Sequence, residues 1–300
     1  MAKKSVPIID MQDLANVPEK IVKAFEEWGS FRLINHGVPI ELMSEMKAVT
    51  RSLMDLPMEI KRKNYHPDSG KGYVPPNMAS PYYEGLSLYD VASPLALLDF
   101  CSQIDASSHQ REILEKYGLA VYDLAHLIGC KMMEGLGLGG EVFKEWVCQL
   151  KMNKYNFAPE TVGLTGALIH TDPGFLTILQ DDEIVRGLEL VDEITGELVS
   201  IDPIPGAFVV NLGDVAKVWS NGRFCNVKHR VQCYEPKVRV SIALFVLAPK
   251  DVKVEAPPQL VDSDHPRRYI PLDFEDYRKL RSSTQSPIGG ALQLFLAKSS

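Results

Sequence analysis

Between residues 151 and 247 the chain is built from short runs rich in Val, Ile, Leu and Phe, broken by turn chemistry at Thr195-Gly196, residues 203–206 and Asn221-Gly222. Asn-Gly is the strongest short hairpin signal a sequence offers. About eight strands can be drawn: 151–157, 168–170, 176–180, 188–191, 198–201, 207–211, 227–234 and 239–247. Many short strands at such spacing close into a sandwich, barrel or jelly roll, so whatever chemistry the chain performs must be mounted on strands.

The flanks read differently. Residues 1–140 form a mostly helical N-terminal region, 141–250 the β core and 251–300 a helical tail, in one integrated unit without repeats or low-complexity linkers. Pro18 opens a helix with Ile21, Val22, Phe25 and Trp28 on one side, and Gly29 ends it. A strand over 31–34 runs into Asn35-His36-Gly37, and a helix over 40–55 is closed by Pro57. The clearest helix carries Ile113, Leu114, Tyr117, Ala120, Val121, Leu124 and Ile128 at steps of three and four, the pattern of a scaffold helix. Residues 65–94, rich in Gly, Pro, Ser and Tyr, read as a long surface loop of the kind that serves enzymes as a lid. One more helix is expected at 273–280.

Lys plus Arg number 32 and Asp plus Glu 39, a net charge of −7, which argues against a nucleic-acid binder. The longest apolar run, 242–248, is far short of the roughly 20 residues a bilayer span needs. Five cysteines, odd in number and without a CxxC pair, suit a reducing compartment, so a cytoplasmic location is expected. Oligomeric state leaves no mark.

Three pairs of polar residues stand two apart, the step that keeps side chains on one strand face: His170/Asp172, Arg239/Ser241 and Asn153/Tyr155. A His-x-Asp pair is cheap by chance, and His66-Pro67-Asp68 is a second one. Context separates them. His170 ends the apolar run Ala167-Leu168-Ile169 and Pro173-Gly174 turns the chain just after Asp172, whereas His66 lies in a Pro- and Gly-rich stretch. Downstream, Val227, His229, Val231 and Cys233 alternate with polar neighbours, which turns His229 inward. Alone it would be an ordinary core histidine. With His170 and Asp172 it completes two imidazoles and one carboxylate, the triad that leaves iron(II) three open positions. Arg239 with Ser241 could grip a carboxylate, although alternation alone leaves that face toward either the cavity or solvent. Phe157, Val231 and Phe245 share the parity of these residues, which fits a substrate wall and core packing equally well.

These residues sit in longer stretches: Asn35-His36-Gly37-Val38, Asn153-Lys154-Tyr155, His170-Thr171-Asp172-Pro173-Gly174 running into Leu176-Thr177-Ile178-Leu179-Gln180, Asn211-Leu212-Gly213-Asp214, Trp219-Ser220-Asn221-Gly222, His229-Arg230-Val231 and Arg239-Val240-Ser241. As a set they resemble the plant 2-oxoglutarate-dependent dioxygenases over nearly the whole chain. The resemblance implies a mainly β protein with flanking α: a distorted double-stranded β-helix (jelly-roll) core packed with N- and C-terminal helices. It implies iron(II) on His170, Asp172 and His229, with the distal carboxylate of 2-oxoglutarate on Arg239, Ser241 and Tyr155. It implies O2 as oxidant, ascorbate as reductant, and a small aromatic or carboxylate substrate. Residues 152–155, 170–180 and 219–233 are most similar to the branch that converts indole-3-acetic acid to 2-oxindole-3-acetic acid with release of succinate and CO2. Many relatives carry Pro-Pro-Cys-Pro after the Asn-x-Tyr motif, and this chain reads Asn156-Phe157-Ala158-Pro159.

Other plant acids, a gibberellin or a phenolic among them, fit the same residues. Outside the class, a zinc hydrolase can use two His and a carboxylate but has no need of an Arg-x-Ser clamp. A non-enzymatic jelly-roll binding protein has no reason to keep both triad and clamp.

Overall fold

A strand that faces helices on one side and a cavity on the other shows an unbroken apolar run on only one parity, and this rule organises the molecule. The structure is a computed structural model describing residues 5–66, 71–249, 251–284 and 288–297. In chain order the elements are β1 (Ile8–Asp10), α1 (Val17–Glu27), β2 (Ser30–Ile34), α2 (Ile40–Met54), α3 (Met58–Lys61), β3 (Tyr83–Leu88), α4 (Pro94–Gln103) and α5 (Ser108–Gly135). Then come β4 (Trp146–Tyr155), β5 (Thr165–His170), β6 (Leu176–Gln180), β7 (Leu188–Val191), β8 (Leu198–Ser200), β9 (Phe208–Leu212), α6 (Asp214–Trp219), β10 (His229–Gln232), β11 (Arg239–Pro249) and α7 (Phe274–Ser283).

Two sheets face each other. The larger has the order β1-β2-β9-β6-β11-β4-β3 and the smaller β5-β10-β7-β8. Every pairing is antiparallel except β1 with β2. The outer parity of the larger sheet carries Leu150, Met152, Ile178, Val210, Ile242, Leu244 and Val246, which share one core with α1, α2 and α5. The inner parity carries Gln149, Lys151, Asn153, Tyr155, Thr177, Asn211, Arg239 and Ser241, and these line a cavity instead. Smaller apolar clusters, one around Leu179, Leu188 and Val209 and one around Tyr83, Phe157 and Cys233, also lie apart from that core. Helix α5 begins on a capping box between Ser107 and Gln110, and its stripe from Ile113 to Met133 is buried.

The mainly β architecture with flanking helices is as expected, and all eight strands of the 151–247 zone are present with ends moved by a few residues. Three features differ. The stretch read as one surface loop, 65–94, contains β3, whose six residues are all buried at the edge of the larger sheet. Residues 67–70, and with them Asp68 of the second His-x-Asp pair, lie outside the described residues. Asn221 and Gly222 do turn the chain with positive φ, 55° and 82°, but they end α6 and join no hairpin. Helix α4 was masked by its apolar Leu-Ala-Leu-Leu run, which shows no clear face.

Candidate active site

His170 ends β5 and pairs across the smaller sheet with His229 on β10. Their rings lie 4.2 Å apart between centroids. Asp172 follows in the turn before β6, and its Oδ1 stands 3.8 Å from Nε2 of each histidine. The three ligand atoms all fall within 4.8 Å of one another. His170 Nδ1 lies 2.7 Å from the Leu168 carbonyl and His229 Nδ1 lies 3.3 Å from that of Val227. A carbonyl only accepts, so each Nδ1 is the donor and each Nε2 is the nitrogen left facing Asp172. Burial and the neighbouring His229 push His170 well below the usual imidazole range, which keeps it neutral. Burial works against the Asp172 carboxylate, but His229, His170 and the Thr177 hydroxyl, which donates at 2.5 Å, together hold its pKa low. Two imidazole nitrogens and a carboxylate oxygen on one edge of a cavity can hold a divalent ion with open positions. Among the described residues no other cluster of this kind occurs.

The cavity measures about 860 Å³. Arg239 lies in its wall and is only 1% exposed, so the solvent-facing alternative left open by alternation does not hold. Its Nη2 donates to Asp181, while Nε and Nη1 have no protein partner among the described residues. Burial lowers the guanidinium pKa, but Asp181, with Tyr155 and Asp182, more than offsets it. The Tyr155 ring lies under the guanidinium at 5.1 Å, and Ser241 is buried in the same wall. Buried, unsatisfied donors are costly unless a ligand meets them, so the chemistry here fits a small carboxylate.

Val231 and Phe245 also line the cavity, but Phe157 does not. Its ring stacks on Tyr155 and fills the space beside Gly166, behind the wall. Several wall residues lie outside the motifs that the sequence presents. Lys151 sits on the parity of Asn153 and Tyr155, and its Nζ is 5.7 Å from the Tyr83 ring. Burial pushes its pKa down to about 8, with Arg278 also lowering it and Asp172 opposing. Glu275, Arg278, Lys279 and Arg281 of α7 complete the rim. The period-two signal was present for Lys151; for the rim it was not.

A jelly-roll cavity with a His-x-Asp…His cluster opposite a buried arginine defines a non-haem iron oxygenase. The chain belongs to the 2OG-Fe(II) oxygenase superfamily: that family's model matches residues 146–248, and a model described as "non-haem dioxygenase in morphine synthesis N-terminal" matches residues 6–109. Its metal and co-substrate are therefore iron(II) and 2-oxoglutarate. It is 51% identical to the 2-oxoglutarate-dependent dioxygenase DAO of rice (Oryza sativa) over 264 residues, 88% of each chain. The crystal structure of the dioxygenase for auxin oxidation in rice superposes with a TM-score of 0.90 at 46% identity, covering 98% of this chain and all of that one. The 2-oxoglutarate complex of dioxygenase for auxin oxidation 1 from Arabidopsis thaliana gives a TM-score of 0.85 at 50% identity, covering 88% and 100%. The double-stranded β-helix expected from the motifs is the fold of these relatives.

Proposed function

We propose that the protein oxidises indole-3-acetic acid to 2-oxindole-3-acetic acid, with iron held by His170, Asp172 and His229 and the distal carboxylate of 2-oxoglutarate held by Arg239, Ser241 and Tyr155. The observation that carries this reading is a cavity that holds the His-Asp-His cluster together with two separate cations, Arg239 and Lys151. Arg239 stands opposite Tyr155 in the β11–β4 register and Lys151 opposite Ala243, four residues along the same strands. That is about 13 Å between the two positions. One cation suits the co-substrate, the other the carboxylate of an acid substrate, and two relatives of known structure, 46% and 50% identical, are auxin oxidases by name.

Iron supplies the redox step when bound, activating O2 at the expense of 2-oxoglutarate, which leaves as succinate and CO2. The chain's own residues bind and orient. The Leu168 and Val227 carbonyls fix both imidazoles in the tautomer that presents Nε2, and Thr177 holds the Asp172 oxygen that does not face the histidines. Arg239, aimed by Asp181, offers two unpaired nitrogens to one carboxylate, and charge-assisted contacts of this kind are the strong ones. Lys151 offers its ammonium to the other acid, with Val231 and Phe245 as apolar wall and Phe157 supporting Tyr155 from behind. A cytoplasmic location belongs to the same reading, supported by five cysteines, none of them in a disulfide. No helix among the described residues is long and apolar enough to cross a membrane.

The test is to incubate iron-loaded protein with 2-oxoglutarate, ascorbate and a panel of plant acids, measuring succinate and product mass. Succinate formed in step with a product 16 mass units above indole-3-acetic acid (one oxygen gained, roughly) supports the reading. Strong coupling to a gibberellin or a phenolic acid, with none to the indole, moves the substrate and leaves the class intact.

A further inference from the structure

The turn that carries His170 and Asp172 is held from the cavity rim by the guanidinium of Arg281. Thr171, between them, is fully buried and does not line the cavity. Arg281 of α7, 110 residues further on, donates Nη1 to the Thr171 hydroxyl at 3.0 Å and Nη2 to the Thr171 carbonyl. The same Nη1 pairs with Asp214, whose carboxylate is fully buried. Asp214 also accepts from Asn226 Nδ2 at 2.7 Å and Tyr277 Oη at 2.5 Å, while its backbone N–H donates to the Asp172 carbonyl at 2.9 Å. Both consecutive carbonyls of the turn, Thr171 and Asp172, thus end on one ion pair. Tyr277 and Arg281 both belong to α7, so this helix supplies two of the three side-chain donors to Asp214 and also forms the cavity rim.

We propose that Arg281 is a positioning residue that couples the docking of α7 to metal binding. This rests on reading His170, Asp172 and His229 as the metal ligands. If α7 lifts away, Asp214 keeps one side-chain donor and loses its counter-charge in a buried site, a state of high cost. The Thr171 carbonyl loses its partner at the same moment. If the turn instead rearranges, the two acceptors that seat the guanidinium move apart. Each event therefore favours the other, and by linkage a metal ion that fixes the turn also fixes the helix. The cavity wall closes most firmly around a loaded centre.

The experiment compares wild type with Arg281→Met and Arg281→Lys by anaerobic Fe(II) titration in the presence of 2-oxoglutarate, and by amide hydrogen exchange over 274–283 with and without Fe(II). Arg281→Met is expected to bind iron about 10- to 100-fold more weakly, the range for groups that support ligands, and Arg281→Lys to fall between. In wild type, iron should slow exchange across α7. In Arg281→Met that protection should vanish while β4 and β11 exchange as before. Equal iron affinity in Arg281→Met, or no effect of iron on wild-type α7, overturns the proposal. Should β4 and β11 show that Arg281→Met has unfolded, Tyr277→Phe removes a neutral donor from Asp214 and must give a smaller loss in the same direction. Wild type that binds no iron at all sinks the ligand reading and this proposal with it; wild type that binds while the variants match it sinks this proposal alone.

Discussion

A guanidinium buried to 1% with two nitrogens lacking partners is an unusual thing for a chain to tolerate. Arg239 is tolerated because Asp181 offsets half of the problem and a carboxylate ligand would offset the rest. The two halves can be separated. Arg239→Met should raise the KM for 2-oxoglutarate about 10- to 100-fold, the worth of hydrogen bonds to a charged group, and change the KM of the organic substrate much less. It also strands Asp181, whose pKa burial already raises despite Arg239. The single variant should therefore lose about 3–5 kcal/mol in a urea melt, and Arg239→Met with Asp181→Asn should regain most of that while keeping the raised KM for 2-oxoglutarate. Asp172→Ala removes the one anionic ligand candidate; iron content and succinate release should both fall more than about 100-fold, beyond what loss of a supporting group does. Full turnover there would end the triad reading. At this scale the sequence was informative where the cavity wall follows a strand's two-residue step, as at Arg239 and Ser241, whereas Asp172 lies past the end of β5 and was marked by the Pro173-Gly174 turn beside it. Asp181 and Arg281 could not be found, because an acidic residue after a strand and an arginine on a polar helix look like any solvated surface.

Elements were legible in proportion to how little they depend on distant partners. Helix α5 announces itself through its stripe and capping box, and the central strands through their apolar runs. Strand β3 does not, since Tyr83-Glu84-Gly85-Leu86-Ser87 has no alternation of its own and becomes a strand only by pairing with β4. Its neighbours explain the composition: Glu84 accepts from Lys61 and Tyr73, and Tyr83 Oη donates to Asn153 at 2.8 Å. The Asn-Gly turn carried the right backbone conformation and the wrong neighbours, because what precedes it is a six-residue helix. The start of that helix packs closely against the 172–174 turn. A Cβ on Gly213 would stand 2.3 Å from the Gly174 carbonyl and 2.5 Å from that of Asp172. Gly213→Ala must push the 172–174 turn aside, so iron affinity should drop about as far as in the supporting-group range, 10- to 100-fold. Iron affinity unchanged from wild type would show that the turn has slack which the packing denies.

At the scale of the whole molecule, sign and place of charge part company. The chain carries −7 overall, yet its cavity gathers Lys151, Arg239, Arg278, Lys279 and Arg281 against Asp172 and Glu275. Such a pocket attracts small anions into a protein that repels them elsewhere. One of the cations has its pKa within reach of ordinary buffers. Burial lowers Lys151 to about 8 from 10.5; Asp172 opposes the shift and Arg278 adds to it. A lysine with a depressed pKa is charged below that value and neutral above it, so an acid substrate should lose its counter-ion as pH rises through 8. The ratio of kcat/KM for indole-3-acetic acid to that for its uncharged amide should be flat below about pH 7 and fall toward tenfold per unit above about pH 8. Taking the ratio cancels any titration of the metal centre. Lys151→Met should erase both the preference for the acid and its pH dependence, leaving the KM for 2-oxoglutarate in place. The stability linkage runs the opposite way: between about 8 and 10.5 the unfolded chain binds the proton that the folded one has released, so Lys151 favours folding as pH rises across that window. An acid-to-amide ratio that stays level from pH 6 to 10 in wild type would show that the second carboxylate sits elsewhere, with Arg278 the next cation along the rim.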